Sequence, residues 1–462
     1  MTEAAKRGAL WLGPLAALLT MVLMWQAGWQ REACFAGGIT ILCAIWWVFE
    51  PIPVPATSLL PLGGFPLLGV LNGEQVASAY GSPVILLLVG GAMMSKGMER
   101  SGLHRRIALW LIRVCGTRSL ARVVFGFMLA SALLSMWISN TATVLMLLPV
   151  AMAVLEGSEN RRFTVALLLG IAYAASIGGL ATPIGTPPNL IFISIYQQLG
   201  GREITFIEWM AIGIPVVALL LPLAAWWLSR GLDGELERTL HPPGIMRSAE
   251  QRVLVIFSLV ILAWLTLKNP AGGWSDWLQL PYANYAAVAF MAVVVMFLCP
   301  DGEGGRLLDW PSASSIHWGV MILFAGGIAI AKAFTVTGIS HAVGEQLSGL
   351  AGWPLLGVIL VICLGVTFLT EVTSNTATAT LLMPLLGAAA GSTDWDPALL
   401  MIPAALSATC AFMLPVATAP NALVMASGQL RVADMASRGL VLNLMAATVI
   451  AVLSWLLLPL LV

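Results

Sequence analysis

Two uncharged polar triplets, Ser139-Asn140-Thr141 and Ser374-Asn375-Thr376, interrupt runs that are otherwise apolar: WISNTATVLMLLP (137–149) and TSNTATATLLMP (373–384). Neither carries a charge, so neither is built for ion pairing. Ser, Asn and Thr are residues that begin helices. A helix that starts at such a triplet presents unpaired backbone N–H groups and about half a positive charge. Two such starts facing each other would hold an anion with no basic side chain. The spacing predicts half-helices running from Ala142 and Ala377 onward.

A second pair of polar features follows the first. SIGGLATPIGTPPN (176–189) and MLPVATAPN (413–421) break long apolar segments with proline and glycine, at a density that unwinds a helix. Carbonyl oxygens freed there, joined by nearby hydroxyl and amide oxygens, suit a hard cation such as sodium. One cation beside each triplet would offset a dianion. Glu371 is the one acid next to a triplet, and its counterpart in the other copy is Met136. An acid at that depth is a functional candidate, either in proton or cation coupling or as a brace for its hairpin.

The elements that must carry these groups are membrane helices. Of 462 residues, 59% are hydrophobic and 10% charged, against roughly 25% charged in soluble domains. The formal net charge is zero, which removes the basic surface that nucleic-acid binding needs. Six scattered cysteines (Cys34, Cys43, Cys115, Cys299, Cys363, Cys410) lack metal-ligand spacing and read as small core residues. The four histidines, His104, His241, His317 and His341, are equally dispersed. An enzyme would need a base–nucleophile pair or paired carboxylates, and the apolar segments offer none.

Full-length spans of about 20 residues are expected at 9–29, 33–49, 54–71, 82–98, 207–229, 252–268, 283–299, 317–335 and 438–461. The stretch from Gly8 to Gly28 reads as a first span, not a signal peptide, because it lacks a convincing cleavage site. Segments 119–157 and 352–391 are each split by a triplet into halves too short to cross, and read as re-entrant hairpins. Segments 162–199 and 397–430 read as broken helices, tolerated at membrane depth only inside protein or beside a cavity. MERSGLHRRIALWLIRVCG (98–116) reads as an amphipathic helix lying in the cytoplasmic interface. Lys96 and Lys332 stand toward span ends, where they would snorkel.

With the N-terminus in the cytoplasm, this topology puts 18 of the 22 Lys and Arg residues inside, including Arg118 and Arg238, and only Arg31, Arg202, Lys268 and Lys332 outside. The C-terminus is then external. LLLVGGAMMSKGMERSGL (86–103) aligns with ILFAGGIAIAKAFTVTGI (322–339) at an offset of 236; the triplets repeat at 235, and Asn189 and Asn421 at 232. The two copies start on opposite sides, so the reading is an inverted repeat with broken helices, the pattern of a secondary transporter with its site at the repeat interface. A channel is a weaker fit, since duplicated occluded tips suit stepwise carriage.

The paired Ser-Asn-Thr motifs, with GTPPN (185–189) and ATAPN (417–421), resemble the divalent anion/sodium symporter family along nearly the whole chain. The resemblance implies an all-α polytopic protein of about 11 transmembrane segments, working in the cytoplasmic membrane as a homodimer. In each protomer a transport domain moves as an elevator against a scaffold. The scaffold would be 1–118 and 251–351, and the transport domain 119–250 and 352–462. Typical substrates are C4-dicarboxylates such as succinate, fumarate and malate, driven by two or more sodium ions. Citrate, sulfate or dicarboxylate exchange are the same-fold alternatives. By position, one sodium site would involve Ser135, Ser139, Asn140 and the Gly185 carbonyl. The other would involve Thr370, Thr373, Asn375 and the Ala417 carbonyl. Substrate carboxylates would meet Asn140, Thr141, Ser374, Asn375, Thr376 and Thr418. The second break has Thr418-Ala419-Pro420 where the first has Thr186-Pro187-Pro188, which implies a freer backbone there.

Overall fold

The computed structural model describes residues 3–116, 119–156, 158, 160–236, 244–269, 272–342, 352–391 and 395–461. Arg118, Arg238 and His241, and the expected domain limits at 118 and 351, lie outside them. Among the described residues the secondary structure is helical, with no strands. The first part of the chain forms α1 (Glu3–Gln26), α2 (Arg31–Phe49), α3 (Val54–Thr57), α4 (Leu59–Leu67), α5 (Gly73–Tyr80), α6 (Pro83–Ser101) and α7 (Leu103–Cys115). The first triplet and break lie among α8 (Leu120–Ser135), α9 (Asn140–Leu155), α10 (Arg161–Gly179) and α11 (Pro187–Gln198), and α12 (Phe206–Ser229) follows. Then come α13 (Ser248–Leu265), α14 (Gly273–Trp277), α15 (Tyr285–Leu298), α16 (Trp310–Ser314) and α17 (Trp318–Val336). The second triplet and break lie among α18 (Leu355–Leu369), α19 (Asn375–Ala390), α20 (Ala398–Ala408) and α21 (Ala419–Ala426), and α22 (Val432–Leu461) closes the chain.

Eight helical stretches among the described residues are long and apolar enough to cross a membrane. Two expected spans differ. Residues 54–71 do not form one helix: Pro53, Pro55, Pro61 and Pro66 crowd the segment, and it divides at Ser58 into α3 and α4, as proline's missing N–H dictates. Residues 283–299 yield only the 14-residue α15, started by the Asn284 cap and ended at Cys299. The basic segment 98–116 also divides, at Gly102 with φ +78°, and α7 buries Leu103, Ala108, Leu111 and Ile112. The matching glycine, Gly338, has φ +76° just past α17. Arg106 on α7 pairs with Glu250 at 2.9 Å, so this helix is pinned to α13.

Packing places the two triplet-bearing halves together. α10 has the length of a membrane span, yet 94% of its apolar window is buried inside the protein. It packs on α8, α9, α12 and α21. α11 lies against α19 and α20, and α9 against α21. Each half of the chain therefore inserts a short helix between elements of the other. Around them α17 packs on α2, α3, α4 and α5, α6 packs on α15, and α17 also touches α19. Cys34, Cys43, Cys363 and Cys410 are buried, and Cys115 and Cys299 half-buried.

Candidate functional site

Each triplet makes a tight reversal between two helices. α9 starts at Asn140 and α19 at Asn375, two residues earlier than the sequence suggests, with Ser139 and Ser374 as N-caps. The serine alone ends the preceding turn; Asn and Thr already belong to the new helix. Ser139 Oγ accepts from the Ala142 N–H at 3.2 Å. Ser374 makes no such side-chain cap bond. Ser135, in the last turn of α8, donates from Oγ to Asn140 Oδ1 at 3.0 Å, and its Oγ lies 3.4 Å from the Thr143 hydroxyl. In the other copy Thr370 Oγ1 donates to Asn375 Oδ1 at 2.7 Å and Thr373 pairs with Thr378. Ser135 and Thr370 are fully buried behind their asparagines.

The asparagines that close the two breaks bond in the same way. Asn189 Nδ2 donates to the carbonyls of Gly179 and Thr182, at 3.0 and 2.8 Å. Asn421 Nδ2 donates to those of Ala411 and Leu414, both at 3.0 Å. Each amide thus closes the same ten- and seven-residue loops, satisfying carbonyls that an unwound helix cannot. Each also keeps a buried Oδ1 with no partner. Thr186 and Thr418 are the N-caps of α11 and α21, with φ, ψ of −149°, 144° and −141°, 151°. The missing proline therefore leaves the cap backbone unchanged. What differs is the hydroxyl: Thr418 accepts from the Asn421 N–H at 3.2 Å, while Thr186 lies 3.4 Å from the Thr409 hydroxyl.

A cavity of about 990 Å³ is lined by both triplets and both breaks. Asn140, Thr141, Ser374, Asn375, Thr376 and Thr418 all line it, as do Ser139, Gly185, Thr373 and Ala417. Four helix starts, those of α9, α11, α19 and α21, stand in its wall. Among the described residues its ionisable lining groups are Lys6, Glu50, Lys96, Glu99 and His317, none of them on a hairpin or a break. Lys96 pairs with Glu99 at 2.8 Å, and both line the cavity. Lys332 Nζ donates to Ser78 Oγ at 3.0 Å. The wall thus carries partial positive charge from four helix termini and no basic side chain from the elements that form them.

Oxygen-rich spots lie beside this wall. A Cβ on Gly179 would stand 3.0 Å from the Gly185 carbonyl oxygen and 3.1 Å from Asn140 Oδ1, so both oxygens flank the bare face of that glycine. Ser135 Oγ touches the same Oδ1. These are hard neutral oxygen donors, the set a small monovalent cation accepts. In the second copy Thr370 Oγ1, with one proton to give, lies 2.7 Å from Asn375 Oδ1 and 2.8 Å from the Ala408 carbonyl oxygen.

Several contributors escape a reading of the triplets alone. Thr143 and Thr378 recur at the same 235-residue offset, so the repeat could have exposed them. Asn443, fully buried on α22, has only its polarity within an apolar helix as a signal. Glu371 is braced by the second break.

A family model described as "Citrate transporter" matches residues 44–405. The sodium-dependent dicarboxylate transporter of Staphylococcus saprophyticus is 39% identical over 474 aligned positions, covering 97% of this chain and 90% of that protein. Its namesake from Staphylococcus aureus strain RF122 is 37% identical with the same coverage. The chain belongs to the divalent anion/sodium symporter family. It is a multi-pass membrane transporter. Among solved structures, the Alcanivorax borkumensis YdaH transporter aligns over 91% of this transporter and 98% of that chain, with TM-score 0.62 at 15% identity. MtrF of Neisseria gonorrhoeae aligns over 97% and 96%, with TM-score 0.61 at 14% identity. At that identity the likeness is one of fold.

Proposed function

We propose that this transporter is a secondary carrier that couples sodium to the uptake of C4-dicarboxylates such as succinate, fumarate and malate. The observation that carries the reading is the shared cavity: two triplets and two breaks, 235 and 232 residues apart in sequence, line one space. Helix starts supply about half a positive charge each, enough to favour a doubly negative guest. Asn140, Thr141, Ser374, Asn375, Thr376 and Thr418 bind its carboxylates. Sodium, a co-substrate, is held by Ser135, Ser139, Asn140 and the Gly185 carbonyl, and by Thr370, Thr373, Asn375 and the Ala417 carbonyl. The bare face of Gly179 beside Asn140 and Gly185 supports the first set. The relatives' printed sodium dependence supports the ion.

The hairpins and breaks form a transport domain, 119–250 and 352–462, that moves as an elevator against a scaffold of 1–118 and 251–351 in a homodimer. The halves are inverted repeats, spanning the cytoplasmic membrane about 11 times with the N-terminus inside. Lys6, Lys96 and Glu99 line the cavity, which with that orientation supports an inward-facing reading. The test is succinate uptake into proteoliposomes with and without an inward sodium gradient. Strong uptake with sodium and none in choline is expected; sodium-independent uptake would remove the symport assignment. A citrate carrier is the second reading, favoured by the family model's description, and citrate outcompeting succinate would select it.

A further inference from the structure

Glu371 sits at the tip of the second hairpin, 3% exposed, and does not line the cavity. Its Oε1 accepts from the backbone N–H of Phe412 at 2.7 Å and of Met413 at 2.8 Å, and its Oε2 from that of Leu414 at 2.9 Å. Three successive N–H groups turned to one side make a concavity suited to an anion, and here the protein fills it with its own carboxylate. Asn443 of α22 donates from Nδ2 to Oε1 at 2.7 Å, and its Oδ1 accepts from the Phe412 N–H at 3.2 Å. All four groups that meet Glu371 are donors, so it acts on both oxygens as an acceptor.

The first copy has no such device. The N–H groups of Leu180 and Ala181, the counterparts of Phe412 and Met413, bond to the helix carbonyls of Ile177 and Gly178 at 3.1 and 3.0 Å. There the hairpin offers Met136, whose carbonyl accepts from Thr182 Oγ1, and Trp209 Nε1 donates to the Leu180 carbonyl at 3.0 Å. The second break has turned its N–H groups away from the helix and needs an acceptor, since unsatisfied backbone groups are costly away from water.

We infer that Glu371 is a positioning residue for the second cation site, one that fixes the Phe412–Ala417 segment against the hairpin carrying Thr370 and Asn375. This rests on the sodium-coupled reading above. That site draws its oxygens from two separate stretches of chain, and Glu371 is bonded to one while belonging to the other. Loosening it lets the Ala417 carbonyl drift from the hairpin oxygens without removing any ligand. The first site, braced otherwise, keeps its affinity.

The experiment is a sodium titration of purified protein by thermal shift without substrate, paired with sodium-dependent succinate uptake in proteoliposomes. Glu371→Gln replaces one acceptor by an amide donor facing a backbone donor. It should raise the sodium concentration for half-maximal effect by about tenfold, with a steeper loss of uptake at low sodium that high sodium restores. Glu371→Asp, which keeps both acceptors, should recover part of the shift. Asn443→Ala removes one donor, leaves the carboxylate, and should shift the midpoint by about threefold; it carries the test if Glu371→Gln does not fold. A folded Glu371→Gln or Asn443→Ala protein with the wild-type sodium midpoint overturns the inference. Wild-type protein that sodium fails to stabilise overturns the sodium reading itself.

Discussion

Asn140 and Asn375 each do two things: they open a helix at the cavity wall and offer Oδ1 to a buried hydroxyl behind it. On the proposed assignment each is shared by a sodium site and the substrate site, so Asn140→Ala and Asn375→Ala should each abolish sodium-coupled uptake at normal expression, read by succinate flux. The two cap serines should behave differently. Ser139 satisfies the Ala142 N–H, so Ser139→Ala should destabilise the protein by about 1 kcal/mol. Ser374 makes no cap bond, so Ser374→Ala should raise the succinate KM and leave the melting temperature unchanged. Gly179→Ala would push a methyl to within 3.1 Å of Asn140 Oδ1. Its expected signature is a rise of about tenfold in half-maximal sodium, seen in the same titration.

The two breaks show what a helix needs in order to stop inside a membrane protein and start again. Asn189 and Asn421 each supply two hydrogen bonds to freed carbonyls. Alanine at either position removes both bonds: the Gly179 or Ala411 carbonyl loses its side-chain donor, while the Thr182 and Leu414 carbonyls keep the Gly185 and Ala417 N–H groups, so stability should fall by about 1–3 kcal/mol, measured as a loss in apparent melting temperature. The breaks were legible in sequence because proline and glycine announce them, and the hairpins because a polar triplet in an apolar run has few other uses. The division of residues 54–71 at Ser58 was less legible: the run is apolar enough to cross, and composition hides what its prolines do to the backbone. The short α15 was hidden likewise, since hydropathy does not see the Asn284 cap. Glu371 stood out as an acid, but three of its four partners are backbone N–H groups that carry no sequence mark.

At the scale of the molecule, the site exists because α11 and α21 are exchanged between the two halves of the chain. Repeat spacing suggested that the triplets meet; the packing that brings them together involves contacts between helices from opposite halves of the chain, such as Pro187–Gln198 and Asn375–Ala390, which no local pattern encodes. The cavity predicts accessibility. Val416 lines it and is 75% exposed, so Val416→Cys in a cysteine-free background should react with a soluble thiol reagent, and succinate with sodium should slow the reaction. Ligand at about 100 times its Kd should stabilise the folded protein by about 2.7 kcal/mol, visible as a raised melting temperature in sodium against choline. The positive wall of this cavity is made of peptide dipoles at four helix starts. An attraction written into the main chain survives any exchange of side chains that leaves the helices standing. Preference among guests can therefore drift through the cap hydroxyls over evolutionary time, while appetite for negative charge is inherited with the fold.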